Sequence, residues 1–382
     1  MKTDDNPGDT GDPASGTCRP LISVVVPVFN VERYLDECLG SVLDQSYADI
    51  ELIAADGAST DESLEILRTW ARKDCRLKVL SLAERGAGRA RNAGLGESRG
   101  DYVWFVDGDD VVTDGAMSAI ADAITELGPD VLLIGHEELL PDGSIRCGPE
   151  AHLLRSSNRS FTLAENPRVV NLTMTSWSKV VRRAFLVSLG IPFPQGRHED
   201  VPVFSAVLLS AKKISTLDRV CYRYRKHRPG ALMARPTEAN IAIFDSYHFV
   251  FALIRAGLPN GERRVTDQVA AAFFERAIQH YTSILSTGGR GSESGSPRLI
   301  PGYYRPRFFQ LMHNDYVSYR PPGYRRPKGA RWIMYFLIEH NAFHVYALLE
   351  PLNNWRVALL KKLTVKARGG SWTVISRPAP SP

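Results

Sequence analysis

Short apolar runs alternate with amphipathic stretches through the first half of the chain. Residues 21–26 are apolar apart from Ser23 and stop at Pro27, which suits a strand buried on both faces. Beyond it, Tyr34, Leu35, Cys38, Leu39, Val42 and Leu43 recur at helical spacing, with Asn30 as the expected N-cap. A strand is expected over 50–55, ending at Asp56-Gly57. Ser59 and Glu62 then have the spacing of a capping box and open a helix whose core face is Leu64, Leu67 and Ala71. Residues 77–82 read as a short strand, and 85–94 as a Gly-rich turn entering a helix of small and basic residues. Tyr102-Val103-Trp104-Phe105-Val106 is aromatic and β-branched, again a covered strand. Thr113 or Asp114 should cap a helix running to about Leu127, with a strand over 131–134 and a hairpin turn at Pro141-Asp142-Gly143-Ser144. Strand and helix taking turns in this way predict an α/β fold with a mostly parallel sheet.

The second half changes character. Residues 161–189 read as helical around Trp177-Ser178-Lys179, an apolar helix covers 203–209, and 220–225 alternates as a strand does. From about 237 helical patterns dominate, at 241–256 and 265–285. A Gly/Ser-rich linker near 287–297 then leads into a part rich in Arg, Tyr and Trp. The expected organisation is a polar tail over 1–20, an α/β domain over 21–236 and a helical region over 237–382. The tail has no apolar core and reads as disordered rather than as a secretory signal.

Composition narrows the class without naming it. The chain has 382 residues, 44% hydrophobic and 23% charged, as an ordinary globular protein does. A formal charge of +5 is too small to argue for nucleic acid, and no nucleic-acid partner is expected. It suits an anionic substrate or an anionic membrane surface equally. No run of eighteen apolar residues occurs, so no transmembrane helix is expected, although the aromatic and cationic stretch over 303–363 suits peripheral membrane docking. A packed helical appendage with a solvated basic face accounts for that stretch as well. Five scattered cysteines without a CxxC argue for neither zinc nor disulfides and for a reducing, cytoplasmic setting. The oligomeric state is left open.

The chemistry concentrates where the aromatic strand ends, at Asp107-Gly108-Asp109-Asp110. Three carboxylates so close together need a counter-charge if they are not solvated. At the carboxyl end of a parallel strand they sit where α/β sheets bind ligands, and Mg²⁺ or Mn²⁺ takes oxygen ligands of this kind. A solvated Asp-Gly-Asp turn is the competing account. A dinucleotide-binding oxidoreductase is disfavoured, because Pro27-Val28-Phe29-Asn30 stands where GxGxxG would follow the first strand.

Taken in order, Ser23-Val24-Val25-Val26-Pro27-Val28-Phe29-Asn30, Asp56-Gly57-Ala58-Ser59-Thr60-Asp61, Ala90-Arg91-Asn92-Ala93-Gly94, Val106-Asp107-Gly108-Asp109-Asp110 and Glu199-Asp200 resemble the motifs of the inverting family 2 glycosyltransferases of the GT-A fold. Trp177-Ser178-Lys179 stands in the place of that family's Trp-Asn-Lys segment. The likeness covers about residues 21–235. It implies a Mn²⁺- or Mg²⁺-dependent transferase taking a nucleotide-sugar donor, a UDP-sugar above all. The acceptor would be a cell-surface glycan, a polyol-phosphate polymer or a lipid-linked chain.

The resemblance makes Asp109 the direct metal ligand, with Asp107 and Asp110 reaching the metal, the ribose or the donor sugar. It makes Asp200 the base and Glu199 its helper. Donor contacts are implied at Pro27, Phe29, Asn30, Asp56, Asp61, Arg89, Asn92, Gly108 and Arg228. Alternatives stand beside several of these. Asp56 can be a turn residue. Asp61, and the Glu199-Asp200 pair, can be first-turn helix acids favoured by the dipole. Arg89 and Arg91 face either the diphosphate or solvent. Arg225, Arg228 and Lys179 can close over the diphosphate, His198 and His227 are candidate metal or phosphate contacts, and Trp177 is a packing residue or an acceptor platform. A nucleotide-sugar-binding scaffold without turnover is the rival function.

Overall fold

The computed structural model describes residues 20–148, 151–155, 159–172, 174–226, 236–256, 265–286 and 299–350. The 287–297 linker and all of the 1–20 tail except Pro20 lie outside the described residues, as do Arg228 and His227.

Among the described residues ten strands form one sheet. In chain order, β1 (Ile22–Val28), α1 (Glu32–Leu43), β2 (Ile50–Asp56), α2 (Ser63–Lys73), β3 (Leu77–Ser81), α3 (Ala87–Glu97) and β4 (Tyr102–Phe105) make the first half. Here β3, β2, β1 and β4 lie side by side and parallel. Next come β5 (Val111–Val112), α4 (Ala116–Leu127), β6 (Val131–Leu139), β7 (Ile145–Cys147), α5 (Ala151–Arg155) and β8 (Ser160–Phe161). They are followed by β9 (Lys179–Arg182), α6 (Arg183–Ser188), α7 (Asp200–Ser210) and β10 (Ile214–Arg225). The α/β architecture is the expected one, with an addition. Within the stretch read as helical, residues 179–182 form β9, which slots antiparallel between β4 and β6. Lys179-Val180-Val181-Arg182 is too short for periodicity to tell a buried strand from a helix. The hairpin at 141–144 is present, joining β6 to β7.

The pleat explains the two cores. Val25, Phe105, Leu133 and Val181 point to one face, while Val24, Trp104, Leu132 and Val180 point to the other. The second face is covered by α1 and α4. The first carries α7 and the helices that follow: α8 (Ala242–Ala256), α9 (Asp267–Ser286), α10 (Arg305–Tyr319) and α11 (Ala330–Glu339). Its apolar cluster runs without a break from Val103 and Phe105 through Phe204 to Phe244, Tyr281 and Tyr316.

Three helix starts differ from expectation, α4 among them, whose N-cap is Gly115 rather than Thr113 or Asp114. Asn30 is not the cap of α1, and Ser59 with Glu62 makes no capping box; α2 begins at Ser63. The two helices cap each other instead. Asp61 accepts from the Glu32 N–H at 3.1 Å and from the Ser63 N–H at 3.0 Å, while Glu32 accepts from the Glu62 N–H at 2.9 Å. A cap supplied from another loop has no local spacing to betray it.

Candidate active site

The buried guanidinium of Arg91 is the centre of the site. Gly94, three residues further along α3, lets the helix lie directly on β1: a Cβ there would stand 2.3 Å from Val25 Cγ1. That close approach carries Arg91 to the carboxyl ends of the strands. Its side chain is 4% exposed and meets Asp107 at 2.8 Å, Glu199 at 2.7 Å and Asp200 at 3.2 Å. Burial opposes its charge, but the three carboxylates outweigh burial and fix the cation. Residues 107 and 199–200, far apart in the chain, therefore share one counter-ion.

The three motif aspartates do different things. Asp110 is fully buried; Oδ2 accepts from the Tyr222 hydroxyl at 2.6 Å and Oδ1 from the Arg225 N–H at 2.7 Å. Burial first, then the neighbouring Asp109 and Asp107, push its carboxyl well above the usual range. The same Tyr222 hydroxyl accepts from the Asp107 N–H at 3.1 Å, so one phenol ties both ends of the turn. Tyr222 is held in turn by stacking on Trp177, with ring centroids 4.7 Å apart. Asp107 and Asp109 are the half-buried members. Gly108 between them packs on the end of β1, where a Cβ would lie 3.2 Å from the Pro27 carbonyl oxygen.

Asp200 opens α7. Its Oδ2 accepts from the Ser176 N–H at 3.1 Å, while the buried Oδ1 ion-pairs with Arg91 but accepts no hydrogen bond. Burial raises its carboxyl to about 7, Arg91 pulls against that, and Glu199 and Asp107 add to it. The preceding His198 holds a left-handed φ of 61°, a costly backbone for a residue with a Cβ.

Asp56 ends β2 on the other side of β1, two strand spacings or about 10 Å across the sheet from the level of Asp107. It is 1% exposed; Oδ2 accepts from the Ser59 N–H at 3.2 Å and buried Oδ1 has no partner. Asn30, with φ 50°, is knitted to that loop: its N–H donates to the Ser59 hydroxyl at 3.1 Å, and its side-chain amide donates to the Thr60 hydroxyl at 3.2 Å and accepts from the Thr60 N–H at 2.8 Å. Phe29 stands 37% exposed beside it.

Other expected positions turn away. Asn92 gives both ends of its amide to the Phe193 backbone, at 2.8 and 2.9 Å, and staples α3 to that segment. Asp61 is the shared helix cap described above. Arg89 pairs with Glu84 at 2.5 Å. Lys179 is buried, with its ammonium on the Thr175 carbonyl and Ser178 hydroxyl, so it cannot close over a ligand. His198 faces the helical region, 5.4 Å from the His280 ring, and burial lowers its pKa to about 4. Trp177 is a packing residue, 5% exposed between Tyr222, Tyr224 and His136. Arg225 does reach the acidic turn, donating to the Asp109 carbonyl at 2.9 Å. Tyr222 and Ser176 were not foreseen; nothing in a Cys-Tyr-Arg string marks a residue that buttresses a turn 112 positions away, nor in Thr-Ser-Trp one whose N–H meets a carboxylate 24 positions on.

Among the described residues no group of three or more His, Cys, Asp or Glu side chains converges as a metal cage. Of the three expected ligands, Asp110 gives both oxygens to hydrogen bonds with Tyr222 and Arg225. Asp107 and Asp109 still suit a hard cation, which binds through one or two carboxylates and completes its shell with substrate phosphates and water.

Residues 23–138 match the family described as Glycosyl transferase family 2. The chain is 28% identical over 221 residues to the uncharacterized glycosyltransferase EpsJ of Bacillus subtilis, covering 57% of this chain and 64% of that one. It is 30% identical over 261 residues to the poly(ribitol-phosphate) beta-N-acetylglucosaminyltransferase TarS of Staphylococcus aureus, covering 66% of this chain and 44% of that one. It thus spans less than two thirds of the length of either relative. The crystal structure of S. aureus TarS 1-349 in complex with UDP-GlcNAc superposes with a TM-score of 0.64 at 22% identity, over 90% of this chain and 92% of that one. Residues 23–138 thus match the Glycosyl transferase family 2 model, and the α/β sheet that carries them has the fold of the TarS structure.

Proposed function

We propose that the protein is a divalent-metal-dependent, inverting glycosyltransferase that moves a sugar from a UDP-sugar to a glycan or polyol-phosphate acceptor. The observation that carries the reading is the shared counter-ion. Through Arg91, the acidic turn that would meet the donor diphosphate stands beside a carboxylate suited to act as base.

In this reading Asp107 and Asp109 hold Mn²⁺ or Mg²⁺, which when bound supplies Lewis acidity to the departing diphosphate. Asp56 has a buried oxygen in want of a donor, and a nucleobase N–H meets that want. Phe29 offers the ring beside it. Asp200, with a carboxyl near 7 and an Oδ1 that accepts no hydrogen bond, takes the proton of the acceptor hydroxyl as that oxygen attacks the anomeric carbon. Glu199 and Arg91 orient it. The TarS relative is named for transfer of N-acetylglucosamine to poly(ribitol-phosphate), and its structure was solved with UDP-GlcNAc; both fit a UDP-sugar and a polyol-phosphate acceptor here.

The test is thermal unfolding with a panel of nucleotide sugars, with and without Mn²⁺, followed by transfer assays. A donor present at a hundred times its Kd adds about 2.7 kcal/mol of stability by mass action. The reading requires a Mn²⁺-dependent shift for one donor, lost in Asp109→Ala, and turnover of that donor. A donor bound but never hydrolysed or transferred favours the non-catalytic scaffold.

A further inference from the structure

Away from the active site, α10, the loop after it and α11 enclose a cleft of about 750 Å³ lined by Tyr316, Arg320, Tyr324, Arg325, Arg326 and Trp332. Arg320 and Arg326 both pair with Glu339, so one acid serves two cations. Arg325 is exposed and pairs with no acid among the described residues, and Lys328 is exposed on the same loop. Arg331 pairs with Glu275 at 3.3 Å. Five cations thus face two acids on this side of the molecule. The N-terminus of the ten-residue α11 opens at Gly329 beside the same cleft, adding a partial positive charge.

The rim is apolar in a way a solvated basic face does not need. Trp332, Ile333 and Phe336 are 46%, 49% and 37% exposed on one side of α11. Trp332 and Phe336 stack at 5.3 Å, and the Arg326 guanidinium lies 5.5 Å from each ring. The segment following α11 adds Leu348, 75% exposed. Cations that would grip phosphate, edged by a tryptophan, an isoleucine and a phenylalanine, are the chemistry of a membrane interface. A soluble polyanion would use the arginines and leave Ile333 and Leu348 in water. Among the described residues no helix is long and apolar enough to cross a membrane.

We propose that this face docks on an anionic phospholipid surface, with headgroup phosphates in the arginine cleft and Trp332, Ile333 and Phe336 in the interfacial layer. The proposal does not depend on the reading of the active site. It is tested by co-sedimentation of the full chain with phosphatidylcholine vesicles, with and without phosphatidylglycerol, over a range of salt. Arg325→Glu and Ile333→Ser are the variants, since neither residue is held in an ion pair or the core; circular dichroism checks that both are folded. Binding should require phosphatidylglycerol and weaken with salt. Arg325→Glu should lower the partition coefficient roughly 30-fold, two charge units near the surface at about 1 kcal/mol each, and Ile333→Ser should lower it several-fold. Equal binding to neutral vesicles, or wild-type partitioning of both variants, overturns the proposal. So does tighter retention of the chain by soluble poly(glycerol phosphate) than by the vesicles, which would make the cleft an acceptor groove.

Discussion

Asp200 and Arg91 decide how the site responds to pH. A base must be free of its proton, so transfer should rise with pH through about 7 and level off above it. Asp200→Asn should keep donor binding and lose about 10²- to 10⁴-fold in turnover; a wild-type rate in the transfer assay would remove Asp200 from the mechanism. Arg91 pulls the Asp200 carboxyl down. Arg91→Lys, which cannot bridge three carboxylates, should therefore move the acidic limb of the pH–rate profile to higher pH. Stability has the opposite slope. The folded Asp200 carboxyl holds its proton up to about 7 where an ordinary aspartate has lost it near 3.8, so its favourable contribution is present below about 4 and fades as pH rises to 7. Denaturant unfolding should show Asp200→Asn gaining on the wild type across that window. At the buttress, Tyr222→Phe strips one carboxylate oxygen and one N–H of their partner and should cost about 1–3 kcal/mol.

Elements set what was legible beforehand. β1, β2 and β4 announce themselves by apolar runs that give way to polar residues, because a strand covered on both faces has no room for polarity until it leaves the sheet; β1 runs through Pro27 to Val28. Motif order then showed which acids would gather. What could not be read was which acid each neighbour would occupy: Asp61 became a cap for two helices, Asn92 a staple to Phe193, and Asp110 a ligand of Tyr222. Those assignments depend on contacts across about thirty to more than a hundred residues, which spacing along one chain does not encode. β9 escaped for a related reason, since its four residues become a strand only by filling the gap between β4 and β6. The seating of α3 gives the element-scale prediction. Gly94→Ala should overpack the helix against Val25 and cost about 1–3 kcal/mol, with Val25→Ala restoring part of it in a double-mutant cycle.

At the scale of the molecule, one apolar cluster joins the sheet to the later helices. The base loop leans on them: the Ser246 hydroxyl on α8 donates to the His198 carbonyl at 3.3 Å, and Arg197 donates to Asn240 at 3.2 Å. Within that helical layer Asp315 accepts from the Tyr281 hydroxyl at 2.8 Å and meets His248 at 2.7 Å. Tyr281→Phe should lower the midpoint of a single cooperative unfolding transition followed by both fluorescence and circular dichroism; two separate transitions would mark the helices as an independent unit. The lone guanidinium among three carboxylates carries a last implication. A ligand that engages Asp107 withdraws that acid's share of Arg91 and leaves more of the cation's pull on Asp200, easing its proton away. Under the proposed function, arrival of the donor would ready Asp200 for the acceptor, an order of events set by one side chain's choice of partners.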